Sequence, residues 1–120
     1  MKTVLVVDDF ASVRFYHLSL LRNSGYAPLA ATNGTEALVL LEKQPVDLVM
    51  LDLVMPTLDG RDVVRRIRAI PRYTTLPVLV ITSETQEAEL GQLKADPSCR
   101  VLVKPILPLA LLEEIHRCLG

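Results

Sequence analysis

Apolar runs of strand length recur along the chain at 3–7 (TVLVV), 27–31 (APLAA), 47–53 (DLVMLDL), 76–82 (LPVLVIT) and 100–104 (RVLVK). They are rich in β-branched residues and mostly do not alternate with polar ones, as expected of strands covered on both faces. Between the runs the pattern changes to the helical period. Residues 11–24 carry Val13, Tyr16, Leu20 and Leu21, and this segment stops before Gly25. A second helix is predicted from the TNGTEAL cap to about Gln44, ahead of Pro45. A third opens after Asp59-Gly60 and runs through RDVVRRIRAI to Pro71. The fourth, ETQEAELGQLKA, is interrupted by Gly91, a poor helix former, and the fifth, LALLEEIHRCL, ends the chain.

Strands that alternate with helices in this way predict an α/β fold, a doubly wound parallel sheet of five strands with five helices. No linker, repeat or low-complexity stretch divides the 120 residues, so one domain over 1–120 accounts for them. In such sheets ligands sit outside the carboxyl ends of the strands.

Composition narrows the picture. Half the residues are hydrophobic, which excludes a disordered chain, and the net charge is −1. That balance gives no electrostatic reason to expect nucleic acid or an anionic membrane as partner. The basic run RDVVRRIRAIPR (61–72) reads as the solvated face of the third helix. Cys99 and Cys118 are spaced neither as a metal knuckle nor as a redox pair, and read as small apolar residues of a reducing compartment. The start MKTVLVVDDF is too short and acidic for a signal peptide, and no apolar run reaches membrane-spanning length; a cytoplasmic domain is expected.

The strand ends hold the candidate chemistry. Strand one ends in Asp8-Asp9, strand three in Asp52, strand four in Thr82-Ser83 and strand five in Lys104-Pro105. Three carboxylates on one edge repel unless a cation intervenes. All-oxygen ligands favour a hard ion, and Mg²⁺ suits a site that keeps several waters. Lys104 supplies a further, mobile charge. A carboxylate can also act as a nucleophile and form an aspartyl phosphate, a reaction that needs positioning and charge neutralisation above all. No phosphate-binding glycine loop competes, and His17 and His116 have no partners at ligand spacing. Taken singly, Asp8-Asp9 reads equally well as a cap of the first helix.

With VLVVDD, DLVMLDLVMPTLDG, VLVITS and VKP in this order and spacing, the chain resembles the receiver domains of two-component response regulators, chemotaxis receivers among them, over essentially its whole length. The resemblance implies a flavodoxin-like sheet in order 2-1-3-4-5. It implies that Asp52 accepts a phosphoryl group from a phosphohistidine of a sensor histidine kinase or histidine phosphotransfer protein. Asp9, Asp52 and the backbone carbonyl of Val54 would hold Mg²⁺, with Asp8 nearby through water. Thr82 would bond a phosphoryl oxygen, Lys104 would form the ion pair, and the Lys104–Pro105 bond would be cis. The output would be a switch in the face built from strand five and its flanking helices, read by a downstream effector protein or domain.

The chain also departs from the family's pattern. Where many receivers carry a Tyr or Phe three residues before the strand-five Lys, this one has Val101, which has no large rotamer swing to report. KADPSCR lacks the Gly-Ala common before that strand, so the fourth helix and its exit are expected to be unusual, short or mobile. Val54 is apolar where some relatives have Asn, which implies slow turnover of the phosphorylated form; Glu84, also beside the site, would partly counter it. On the first helix, Val13, Tyr16, His17, Leu20 and Leu21 gather on one side, leaving Phe15 and Leu18 as a candidate docking patch. Two other readings stand beside the receiver. An aspartyl-phosphate hydrolase would need a second acid two residues after the nucleophile, where Val54 stands. A degenerate receiver, acting as a phosphorylation-independent interaction module, fits Val101 but not the intact acid, hydroxyl and lysine set.

Overall fold

The computed structural model describes residues 1–53, 55, 58–83 and 87–120, with the backbone alone for residues 87–89. The elements are β1 (Thr3–Val7), α1 (Ala11–Asn23), β2 (Ala27–Ala31), α2 (Gly34–Lys43), β3 (Leu48–Asp52), α3 (Gly60–Arg68), β4 (Val78–Thr82), α4 (Glu87–Ala95), β5 (Cys99–Val103) and α5 (Pro108–Leu119). The five strands form one parallel sheet in the order β2-β1-β3-β4-β5. This is the doubly wound, flavodoxin-like fold that the sequence implied.

The non-alternating runs are explained by two cores, one on each face of the sheet. Val49 and Leu51 of β3 point into the core under α2, α3 and α4, while Leu48 and Met50 point into the core under α1 and α5. A strand with both sides buried has no polar face to show. Pro28, which lacks an N–H, is tolerated because β2 is an edge strand.

Element ends follow local chemistry. Asn33 caps α2 by accepting from the Glu36 N–H at 2.8 Å, and the Glu36 carboxylate reaches back to the Thr32 N–H at 3.3 Å. Asp59 caps α3 by accepting from the Arg61 N–H at 2.8 Å. α1 ends before Gly25, whose φ of 89° is the left-handed conformation glycine adopts most readily. α3 stops at Arg68, short of Pro71, because Pro71–Tyr73 forms its own 3-10 turn. β4 starts at Val78, two residues later than the apolar run suggests: the Leu76 N–H turns back to Tyr73, and Pro77 has no N–H to donate.

α4 is nine residues long, and at its exit Arg68 Nε donates to Asp96 Oδ2 at 2.7 Å while Asp96 Oδ1 accepts from the Ser98 N–H at 2.9 Å. One expectation needs correction. On α1, Leu18 is half-buried and packs on the α5-side core, whereas Tyr16 is exposed. The outward apolar residues of α1 are therefore Phe15 and Tyr16, at 62% and 46% exposure.

Candidate functional site

Parallel strands in register deliver their last residues to one edge. Val7 lies opposite Leu51, Asp52 opposite Ile81, and Thr82 opposite Val103. Asp8 and Asp9 leave β1 and Asp52 ends β3, so their carboxylates meet above the sheet, with one oxygen of each within 4.8 Å of the others.

Asp8 is buried and held from several directions. Its N–H donates to the Ala31 carbonyl at 3.2 Å, its Oδ1 accepts from the Phe10 N–H at 2.9 Å, and its carbonyl accepts from Arg14 Nη1 at 2.9 Å. The capping reading does not hold: the N-cap of α1 is Phe10, no side chain caps the helix, and Asp8 closes a local turn ahead of it that occupies one carboxylate oxygen only. Asp9 Oδ1 is buried and has no hydrogen-bond partner among the described residues. A buried anionic oxygen without a donor costs several kcal/mol unless a cation meets it. Clustered carboxylates and this orphaned oxygen fit a hard divalent ion, so the residues present suit Mg²⁺. The Val54 carbonyl and Glu84 lie outside the described residues.

Thr82 is fully buried at the end of β4. Its carbonyl accepts from the Lys104 N–H at 2.8 Å, which extends the β4–β5 ladder by one residue to Lys104. Lys104 has an exposed side chain and lines one small pocket together with Asp8 and Asp52. The Lys104–Pro105 peptide bond is cis. Gly60 closes the far side: its N–H donates to the Leu53 carbonyl at 2.8 Å, and a Cβ there would stand 2.8 Å from the Leu53 backbone.

Some residues join the site that sequence reasoning passed over. Arg14 grips the Asp8 carbonyl across a gap of six positions that no helical period marks. His17, dismissed for want of partners, is buried on the wall of the pocket shared by Asp8, Asp52 and Lys104. Burial pushes its imidazole below its usual range; Asp8 pulls it up and Lys104 pushes it further down. Val101 is half-buried against the α2–α4 core.

Away from this edge the chemistry is quieter. Burial raises both thiols, Cys99 to about 12, so neither is a ready thiolate. In the basic run, Arg61 pairs with Asp59, Arg65 with Asp62 and Arg68 with Asp96, while Arg72 donates to the Leu41 and Glu42 carbonyls. These arginines serve the fold. Among the described residues, no helix is long and apolar enough to cross a membrane.

Residues 4–116 match the family model of the response regulator receiver domain, and the chain belongs to that family. It is similar to the chemotaxis protein CheY of Pseudomonas aeruginosa, at 34% identity over 95% of this chain and 93% of the relative. Among solved structures, the chemotaxis protein CheY4 of Vibrio cholerae superposes with a TM-score of 0.92, at 34% identity and 98% coverage of both chains. A stretch of the Vibrio cholerae CAI-1 autoinducer sensor kinase/phosphatase CqsS is also similar, at 31% identity over 95% of this chain and 17% of that protein. The chain is therefore a receiver domain of the two-component and chemotaxis signalling class.

Proposed function

We propose that residues 1–120 form one receiver domain that takes a phosphoryl group onto Asp52 from a phosphohistidine of a sensor histidine kinase or histidine phosphotransfer protein. The observation that carries this reading is the convergence of Asp8, Asp9 and Asp52 to within 4.8 Å at the carboxyl edge of a receiver fold. An Asp52 oxygen attacks phosphorus, the P–N bond breaks, and the imidazole leaves with the electron pair. Asp9, Asp52 and the Val54 carbonyl, with Asp8 behind them through water, are the groups to hold Mg²⁺. When bound, the ion supplies positive charge against which the phosphoryl oxygens gather. The Thr82 hydroxyl donates to one phosphoryl oxygen, and the Lys104 ammonium pairs with another. The domain acts as a switch in the cytoplasm rather than as an enzyme with an outside substrate, and its β5 face is read by a downstream effector protein or domain. Nucleic acid and membrane are not its partners.

The phosphodonor docks beside the site on the first turns of α1. Phe10 and Phe15 are 63% and 62% exposed there, and Leu107 and Leu109 at the start of α5 are each 76% exposed. Aromatic and aliphatic anchors around a reactive edge suit a protein partner. Incubation with Mg²⁺ and acetyl phosphate should give a labile mass gain that is absent in Asp52→Asn. No gain in the unmodified chain would leave a phosphorylation-independent interaction module as the better account.

A further inference from the structure

The inward stripe of α1 runs Val13, His17, Leu21, and His17 is the polar member of it. At 9% exposure the residue is nine-tenths buried, where an apolar side chain would pack at no polar cost. Its ring meets Tyr16 at 5.4 Å between centroids, tilted by 49°. No hydrogen bond to the ring is made among the described residues, yet neither nitrogen is sealed off, so the ring edge opens on a cavity. Two cavities meet at this point. One is the small pocket of Asp8 and Asp52, and the other is an apolar groove between α1 and the chain after β5; His17, Ile81 and Lys104 line both. Lys104 enters the same space on a flexible four-carbon stem, and its side chain forms no ion pair among the described residues.

We propose that His17 is a positioning residue for Lys104: an imidazole nitrogen accepts one ammonium N–H and keeps the charge on the pocket wall beside Asp52. The inference rests on Lys104 being the cation that meets the phosphoryl group. An ammonium has three donors, so a bond to His17 leaves two for phosphoryl oxygens. A lysine held in advance loses less freedom when the anion arrives. Leucine in place of His17 fills the space but accepts nothing, whereas glutamine accepts.

The rate of phosphorylation by acetyl phosphate with Mg²⁺, measured beside melting curves, separates the two roles. His17→Leu should be slower by roughly 3- to 10-fold, the value of one lost hydrogen bond, and His17→Gln should recover most of the rate. Equal rates in His17→Leu and the unmodified chain, or equal losses in the Leu and Gln variants, overturn the proposal. A second readout does not depend on phosphorylation or on His17 variants folding. The ¹⁵N resonance of the unprotonated His17 nitrogen should move toward that of free imidazole in Lys104→Met; an unmoved resonance overturns the positioning role. If the unmodified chain gains no phosphoryl group, the phosphoacceptor reading fails, and the ¹⁵N signal still decides on His17.

Discussion

At the scale of single residues, Gly60 and Val54 make separate demands. Gly60 sits where the chain after β3 folds back on the strand end, and a Cβ would stand 2.8 Å from both the Cα and the carbonyl oxygen of Leu53. Backbone cannot yield as a flexible side chain does, so Gly60→Ala should cost about 1–3 kcal/mol in urea unfolding. Under the proposed function, Val54 is the residue expected to bear on the lifetime of the phosphorylated state. If an apolar group there leaves the hydrolytic water unoriented, Val54→Asn should shorten the aspartyl-phosphate half-life several-fold. An unchanged or longer half-life would remove Val54 from the account. Asp8, Asp9, Asp52, Thr82 and Lys104 were legible in the sequence because each falls at the end of an apolar run. His17 and Arg14 were not. Their places at the site come from what lies across the fold, and a helical period reports only which way a residue faces.

At the scale of elements, the link between α3 and the exit of α4 makes a pH prediction. Partial burial alone would raise the Asp96 carboxyl, but hydrogen bonds from Arg68 and the Ser98 N–H outweigh it and hold the group below its usual value. A folded-state pKa below the unfolded one gives stability that is full above the unfolded value and lost as pH falls through the folded one. Asp96→Asn should therefore cost about 1 kcal/mol or less near neutral pH, since the pair is only partly shielded from water, and the difference should vanish in acid. A cost that persists at low pH would show that the carboxylate charge is not what matters. On α1, Phe15→Ala should slow transfer from the protein phosphodonor and leave acetyl phosphate labelling intact; equal loss in both would refute docking there. The helices were legible from their apolar period, and the anchored exit of α4 was not. Arg68 and Asp96 meet only because α3 and α4 cover the same face of the sheet, so KADPSCR alone read as a loose segment.

At the scale of the whole molecule, the register of a parallel sheet turns separate strand ends into one site. The alternation of strands and helices made the α/β class legible, and covered faces explain why the strand runs do not alternate. Strand order came only through resemblance to a family, because an apolar run does not name its neighbour. Crowding carboxylates at one edge stores repulsion that a divalent ion relieves, so Mg²⁺ at about 100 times its Kd should add roughly 2.7 kcal/mol of stability. For a domain of this size that is a rise in Tm on the order of 10 °C. Asp9→Asn should lose most of the rise, and an equal rise in that variant would place the ion elsewhere.

The central claim is that Asp52 is the acceptor. Borohydride reduces an acyl phosphate to the alcohol, so an aspartate that carried the phosphoryl group is converted to homoserine. After treatment with Mg²⁺ and acetyl phosphate, then borohydride and trypsin, tandem mass spectrometry should find homoserine at position 52. Homoserine at Asp8 or Asp9 instead, or at no aspartate, would contradict the account.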